Sequence, residues 1–165
     1  MTIDKATAYP LTKMKHMLTS AFEKASVCSV LCMPVMHVAC LIYRPIVRKE
    51  IQRFRITSRD RVLFIGGGAL PYSAYLIHQM TRARVDVVDI DEQAYRYARH
   101  LATKHYPRAF YPYHKCGTQV DPTQYDVVII ARQVDNKKQV IKHLRSYKSF
   151  SRLLVRENLW SESME

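Results

Sequence analysis

Glycine is scarce in this sequence: the 165 residues include four, and three of them are consecutive, at positions 66–68. The chain also lacks internal repeats, low-complexity blocks and flexible linkers between domains. Apolar residues make up 48% of it, which is enough to bury one core of ordinary size. We therefore expect one compact unit that contains a single specialised glycine turn.

Cysteine is scarce as well, and its four residues are too few and too clustered to form a disulfide framework. They are Cys28, Cys32, Cys40 and Cys116. The N-terminal residues are polar and contain no apolar leader region. An uncharged, largely apolar run from Val27 to Ile42 has 16 residues, fewer than the roughly 20 of a membrane-spanning helix. These absences predict a cytoplasmic protein without a transmembrane span, in which the run forms a buried helix or, in the alternative, an interfacial membrane element.

Sulfur and imidazole side chains share this apolar run, and zinc and iron both bind such ligands. The candidates are Cys28, Cys32, His37 and Cys40. Their spacing matches no common metal-binding pattern, and cysteine within an apolar helix is usually a core residue. We therefore predict that these residues belong to the core and that the chain holds no metal.

Acidic residues are outnumbered, since 26 Lys and Arg stand against 14 Asp and Glu and give a formal net charge of +12. A surface of this kind attracts phosphates, anionic headgroups and acidic small molecules. The basic residues cluster at Arg44, Arg48, Lys49, Arg53, Arg55, Arg59 and Arg61, and again from Lys137 to Lys148. Two interpretations stay open, a solvated helix face and a surface that binds nucleic acid.

The periodic segments predict a helical N-terminal cap at residues 1–57, followed by strands and helices at residues 58–165. Apolar residues recur at helical spacing from about Leu11 to Phe54, with Pro45 near the first turn of the last helical stretch. The predicted strands are 61–65, 85–89, 110–113, 126–131 and 151–156, and the predicted helices are 71–81, 92–105 and 137–147. This alternation predicts an α/β fold, a Rossmann-like doubly wound parallel sheet of five strands in the order 3-2-1-4-5 with an N-terminal helical layer.

The turn Gly66-Gly67-Gly68-Ala69-Leu70-Pro71 follows the first predicted strand, at the sheet edge where such folds bind ligands. Glycine there adopts conformations closed to other residues and lets a ligand approach the backbone. A dinucleotide fingerprint, G-x-G-x-x-G, that starts at Gly66 requires glycine at position 71, where this chain has Pro71. No Gly-Lys-Ser/Thr follows either, which excludes a P-loop.

Polar residues follow the second and fourth predicted strands. Asp89 lies about twenty residues beyond the glycines, where a carboxylate can accept both hydroxyls of a ribose. Ile90 follows it, and Asp91 is predicted to cap the next helix; in the alternative, both aspartates only cap and solvate a loop. Ala131 ends the fourth predicted strand and Arg132 follows it. Arg132 either holds a carboxylate as a two-pronged donor or is exposed to solvent.

The sequence resembles the class I S-adenosylmethionine-dependent methyltransferase fold, whose first strand and loop typically read V-L-D-I-G-x-G. This chain reads Val62-Leu63-Phe64-Ile65-Gly66-Gly67-Gly68, with Phe64 at the usual acidic position. Within that fold it is similar to the nicotianamine synthase branch, whose loop reads G-x-G-x-L-P. The likeness extends over about residues 43–156 and includes Tyr125-Asp126-Val127-Val128, Lys138–Leu144 and Leu153-Leu154-Val155-Arg156. Tyr43 and Glu50 match a tyrosine and glutamate spacing ahead of the loop in that family.

The resemblance implies S-adenosylmethionine as the cofactor, bound by Gly66, Gly67, Gly68, Leu70, Pro71, Asp89, Ile90, Ala131 and Arg132. It also implies transfer of the 3-amino-3-carboxypropyl group to an amine of a small metabolite such as an amino acid. Tyr43 and Glu50 would orient the amine and accept its proton, unless they are only a half-buried tyrosine and a solvated helix glutamate. Two other functions stay open: a methyltransferase acting on a small molecule or RNA, and a non-catalytic binding module.

The chain ends soon after the fifth predicted strand. We therefore expect the final strands of a full methyltransferase sheet to be absent or supplied by another subunit. Together with the apolar N-terminal helix, this leaves surface to cover, which favours a homodimer.

Overall fold

The computed structural model describes residues 28–147 and 152–156, with side chains from residue 33 onward. The chain divides into two compact units, residues 1–38 and 39–165. The described part of the first unit belongs to one long helix, α1 (Cys28–Phe54). The predicted helical residues 11–27 lie outside the described part of the chain.

Helix α1 continues through Pro45, so the prediction that a helix begins near this proline is wrong. Proline lacks the N–H that would bond the carbonyl four residues earlier, which here belongs to Leu41. Both residues are exposed, Leu41 to 62%. The carbonyl without a donor therefore lies on the solvent side of the helix, where water can bond it.

Over residues 33–42, where the side chains of the apolar run are described, Met36 and Cys40 are buried and Met33, Val38 and Leu41 are exposed. Cys40 is buried as predicted, and its burial raises the pKa of the thiol to about 11. His37 is exposed, as is Val38 beside it, so the prediction that His37 is a core side chain is wrong. The side chains of Cys28 and Cys32 lie outside the described residues. Within the described ranges, no three His, Cys, Asp or Glu side chains cluster as metal ligands do, and no helix could span a membrane.

A parallel sheet of five strands forms the second unit, in the order β3-β2-β1-β4-β5. This confirms the predicted fold and strand order. The elements are β1 (Arg61–Ile65), α2 (Tyr72–Thr81), β2 (Arg84–Asp89), α3 (Glu92–Lys104), β3 (Tyr111–His114), β4 (Val127–Ile130), α4 (Lys137–Arg145) and β5 (Arg152–Val155). Two short 3-10 turns, Gly117–Gln119 and Pro122–Gln124, precede β4.

Strand β1 lies at the centre of the sheet and is buried on both faces, which is why its sequence is a continuous apolar run. Leu63 and Ile65 join one core cluster with residues of β4 and α4. Phe64 points to the opposite face, because successive side chains of a strand alternate. Ile65 is in register with Val88 and Ile130. The loops after β1, β2 and β4 therefore leave the sheet side by side, at what we call the carboxyl edge.

A buried acid stabilises the sheet away from the carboxyl edge. Asp86 on β2 is 0% exposed and accepts hydrogen bonds from Arg61 at 2.8 Å, Arg84 at 3.1 Å and the Tyr125 hydroxyl at 3.1 Å. Arg61 also lies over the Tyr125 ring and Arg84 over the Tyr111 ring, at 4.8 and 4.2 Å from their centroids. Burial, and then the Asp86 carboxylate, raise the pKa of Tyr125 to about 12. The charge on Asp86 is thus compensated within the fold.

Candidate active site

The glycine loop, residues 66–71, is packed tightly against its neighbours at its first two positions. Gly66 has φ +81° and donates to the Val88 carbonyl at 2.8 Å. A Cβ on Gly66 would lie 2.5 Å from Val134 Cγ2, and one on Gly67 would lie 2.2 Å from Val87 Cγ1. These two positions therefore require glycine because the loop approaches the sheet and the loop after β4 closely.

Gly68 differs, because it faces open space. Its φ is +68°, in the left-handed region that favours glycine, and a Cβ built there would meet no atom within 4 Å. Its N–H donates to Asp89 Oδ2 at 2.7 Å. The loop thus exposes its backbone to a ligand at the point where the predicted ribose-binding acid contacts it.

Asp89 is the last residue of β2, and backbone groups fix both of its carboxylate oxygens. Oδ2 accepts from Gly68, and Oδ1 accepts from the Asp91 N–H at 3.0 Å. Each oxygen has a second lone pair that remains available to a hydroxyl donor. Asp91 caps α3 by accepting from the Gln93 and Ala94 N–H groups, which confirms that prediction.

An apolar side chain lies next to this acid. Ile90 is 67% exposed, and its carbonyl lies 3.0 Å from His114 Nε2. The His114 ring stacks on Tyr95, with centroids 5.8 Å apart. The loop after β2 therefore offers a planar ligand an apolar contact on a supported backbone.

Leu70 and Pro71 join the glycine loop to α2. The Leu70 carbonyl accepts from the Tyr72 N–H at 2.8 Å, and the Pro71 carbonyl accepts from the Tyr75 N–H at 3.0 Å. Pro71 is buried, and Tyr72 and Ser73 of the first turn of α2 are buried with it. Tyr72 of this turn contacts the ring of Tyr43, a residue of α1.

The loop after β4 completes the carboxyl edge. Ala131 is buried and donates its N–H to the Ile65 carbonyl at 2.8 Å. Arg132 is half-buried, and its carbonyl accepts from Lys137 Nζ at 3.1 Å. Lys137 Nζ also donates to the Arg156 carbonyl at 2.8 Å. One ammonium therefore ties the loop after β4 to the end of β5.

Helix α1 brings both predicted catalytic residues to this edge. Tyr43 and Glu50 are two turns apart and so lie on one face of the helix. The Tyr43 ring lies 4.5 Å from that of Tyr72, centroid to centroid. Glu50 accepts from Arg156 Nε at 2.8 Å and from Arg156 Nη2 at 2.6 Å, and its side chain is 14% exposed. Glu50 is therefore not the solvated helix glutamate of the alternative interpretation.

The sequence patterns assign no role to three residues of this site: Tyr72, Ser73 and Arg156. Burial raises the pKa of Tyr72 well above its usual value, Tyr43 adds to that effect, and the charges of Arg156 and Arg132 oppose it. The Ser73 hydroxyl accepts from Arg156 Nη1 at 3.0 Å. Arg156 belongs to the segment that resembles the family, but its bond to Glu50 spans 106 positions, so no local pattern could reveal the pairing.

The fold defines the class of protein: a Rossmann-like α/β domain of the S-adenosylmethionine-dependent methyltransferase type. Its fold is similar to that of coclaurine N-methyltransferase bound to N-methylheliamine and SAH. The TM-score is 0.57 at 15% identity, over 68% of this chain and 35% of the other. This likeness concerns the fold alone.

Residues 42–161 match the model of the nicotianamine synthase protein family, and the chain belongs to that family. The fold is similar to that of a Glu-to-Gln mutant of MtNAS, with a TM-score of 0.64 and 24% identity over 68% of this chain and 43% of the other. For the structure of MtNAS in complex with MTA and tNA, the TM-score is 0.60 and the sequence identity 25%, over 64% of this chain and 40% of the other.

A curated relative is similar over a shorter stretch. L-histidine 2-aminobutanoyltransferase of Pseudomonas aeruginosa is 43% identical over 56 residues, which are 34% of this chain and 21% of the relative. This chain thus covers about a fifth of the curated relative and less than half of MtNAS.

Proposed function

We propose that the protein is an S-adenosylmethionine-dependent transferase that moves the aminocarboxypropyl group to an amine of a small metabolite. The observation that carries this proposal is that Tyr43 and Glu50 lie at the same edge as Gly68 and Asp89. The Tyr43 ring contacts Tyr72 in the first turn of α2, and Arg156 links Glu50 to Ser73 of that turn. Membership of the nicotianamine synthase family and the transfer named for the Pseudomonas aeruginosa relative support it.

The carboxyl edge fits S-adenosylmethionine. That cofactor supplies an electrophilic carbon next to its sulfonium. Asp89 accepts the ribose hydroxyls with the lone pairs that its backbone donors leave available, and the open space at Gly68 admits the ligand to the backbone. Ile90 offers its exposed side chain to the adenine. Gly66, Gly67, Leu70 and Pro71 shape the loop, and Ala131 and Arg132 lie at the reaction end.

The charges at the reaction end favour an acceptor that carries a carboxylate. By formal charge, Glu50 and Arg156 neutralise one another, and the positive charges of Arg132 and Lys137 stay beside them. The Lys137 ammonium already donates to the carbonyls of Arg132 and Arg156. We assign Arg132 to a carboxylate, because a guanidinium binds that group with two parallel hydrogen bonds. An amino acid brings both a carboxylate and an amine, and the relative's L-histidine is the first acceptor to test.

Glu50 and the two tyrosines can handle the amine. Each oxygen of Glu50 has a lone pair left after it bonds Arg156, so the carboxylate can bind the ammonium and take a proton from it. The neutral amine that results would then attack the carbon next to the sulfonium, and the C–S bond would break to release methylthioadenosine. Tyr43 lies on the same helix face and helps to orient that nitrogen. Burial raises the pKa of Tyr72 further above the neutral range, so its hydroxyl keeps its proton and is a donor.

The test is to incubate the protein with S-adenosylmethionine and L-histidine and to identify the nucleoside product by mass. Methylthioadenosine supports the proposal, S-adenosylhomocysteine supports a methyltransferase, and binding without either product supports a binding module. The Glu50→Gln variant should lose methylthioadenosine formation yet bind S-adenosylmethionine within about threefold of wild type. Glu92→Gln is the matched control, because Glu92 lies on the exposed face of α3 and pairs with Arg96 there.

Several predictions from the sequence are not tested by these relatives. A nucleic-acid partner, a homodimer, a cytoplasmic location and a functional boundary at residue 57 remain predictions. The basic residues of α1 that motivated the nucleic-acid interpretation, among them Arg48, Lys49 and Arg53, are exposed. Gel-shift and sedimentation measurements on the whole chain would decide the first two.

A further inference from the structure

Every nitrogen of the Arg156 guanidinium has a partner within the candidate active site. Nε and Nη2 donate to the two oxygens of Glu50 at 2.8 and 2.6 Å, in the parallel geometry of a two-pronged ion pair. Nη1 donates to the Ser73 hydroxyl at 3.0 Å. The Arg156 and Glu50 side chains are 15% and 14% exposed, so both charges are largely removed from water.

The backbone of Arg156 is held from two sides. Its N–H donates to the Ile130 carbonyl at 3.0 Å, which extends the pairing of β5 with β4 by one residue. Its carbonyl accepts from Lys137 Nζ, which also bonds the Arg132 carbonyl. The side chain then passes over the Phe64 ring, with the guanidinium carbon 5.1 Å from the centroid. Both the origin and the path of the side chain are therefore fixed.

This arrangement is costly as a device for stability alone. A buried ion pair loses hydration on both charges, and apolar side chains of similar volume often stabilise a fold equally well. What the pair achieves is orientation. The Arg156 guanidinium, just after β5, fixes the Glu50 carboxylate of α1. It does so over Phe64 of β1 and beside Ser73 in the first turn of α2, at the carboxyl edge. A carboxylate held in this way leaves its remaining lone pairs in a defined direction.

We propose that Arg156 is a positioning residue for Glu50, itself held by Ser73 and by the Lys137 ammonium. The proposal rests on the proposed transferase function, because it assigns Glu50 to the acceptor amine. Arg156 touches neither substrate in this role. It acts by holding the Glu50 carboxylate in one rotamer, directed at the incoming nitrogen.

The test compares Arg156→Lys with Arg152→Lys in the full chain. Both arginines lie at the ends of β5 and pair with a largely buried acid, but Arg152 pairs with Asp60, away from the carboxyl edge. Lysine keeps the charge and loses the two-pronged geometry. Arg156→Lys should lower kcat for methylthioadenosine formation by about 100-fold, the loss expected for a misplaced catalytic group. The Kd of S-adenosylmethionine should change by less than about threefold.

The control variant should lose stability without losing activity. Arg152→Lys should lower the melting temperature as much as Arg156→Lys but leave kcat within about threefold of wild type. Equal kcat in the two variants would overturn the positioning role. If Arg156→Lys does not fold, Ser73→Ala replaces it, with an expected kcat loss of about tenfold, and an unchanged kcat overturns the proposal.

Chemical rescue separates the loss of the guanidinium contact to Glu50 from a general loss of folding. Arg156→Gly should regain part of its lost kcat when methylguanidinium is added at millimolar concentration, whereas Arg152→Gly should not respond. Absence of rescue in a folded Arg156→Gly protein that binds methylguanidinium would count against the proposal. If the wild type forms no methylthioadenosine with any amine, the proposed function fails and the positioning role fails with it. If the wild type is active and these variants are too, only the positioning role fails.

Discussion

The substitution Asp89→Asn tests the ribose assignment with the least change of shape. In the wild type, the two oxygens of Asp89 accept from Gly68 at 2.7 Å and from Asp91 at 3.0 Å. Asparagine has one oxygen, so its amide NH2 must face one of these two N–H donors. The variant also removes the charge that strengthens hydrogen bonds from ribose hydroxyls.

The expected loss follows from these contacts. A hydrogen bond to a charged group contributes about 1.5–3 kcal/mol, and one between neutral groups about 0.5–1.5 kcal/mol. Two hydroxyl bonds that change from the first kind to the second lose about 2–3 kcal/mol of binding free energy. The Kd of S-adenosylmethionine should therefore rise by about 30- to 150-fold. The mismatch at the backbone should cost the fold about 1 kcal/mol as well.

Titration calorimetry of S-adenosylmethionine into wild type, Asp89→Asn and Asp91→Asn checks this. Asp91→Asn is the control, because Asn caps a helix as well as Asp does, and its Kd should stay within about threefold of wild type. A folded Asp89→Asn protein that binds as tightly as the parent would refute the ribose assignment. Equal losses in both variants would indicate that the order of the loop, rather than the ribose contact, is what matters.

Three further outcomes are expected. Gly67→Ala should destabilise the fold by about 1–3 kcal/mol in urea, because its Cβ would lie 2.2 Å from Val87 Cγ1; additive losses with Val87→Ala would contradict this cause. Asp86→Asn should lower the melting temperature by about 5–10 °C, because it leaves two arginines without their buried carboxylate. The loss is limited because these arginines are 38% and 47% exposed and can be hydrated in part; an unchanged melting temperature would contradict the buried pairing. At about pH 8, iodoacetamide should alkylate Cys116 faster than Cys40, because a threonine hydroxyl bond lowers the pKa of Cys116 while burial raises that of Cys40 to about 11. A lower pKa leaves more thiolate at a given pH, and equal rates by peptide mapping would overturn this ordering.

The parts of the fold that local patterns encode could be predicted from the sequence. Strand β1 is a continuous apolar run because both of its faces are covered, and the glycines that follow are required by close contacts and positive φ angles. Asp91 caps α3 through its own neighbours in sequence. The strand order follows from the alternation of strands and helices, which restricts the connections between parallel strands.

The parts that depend on distant partners could not be predicted. Glu50 has the sequence context of an exposed helix residue. It is largely buried because it forms an ion pair with Arg156, which lies 106 positions later in the chain. Asp86 lies in an apolar strand, and its arginine partners come from the first residues of two strands. Proline favours the first turn of a helix, so the sequence pattern predicts a helix start near Pro45. Its exposed position instead lets α1 continue through it.

The most direct test of the proposed transfer uses S-adenosylmethionine that carries an isotope label in its methyl group, with L-histidine as the acceptor. We predict that the label stays in methylthioadenosine and that the acceptor gains an unlabelled aminocarboxypropyl group. Label in the acceptor, with S-adenosylhomocysteine as the nucleoside product, would contradict aminocarboxypropyl transfer and identify a methyltransferase.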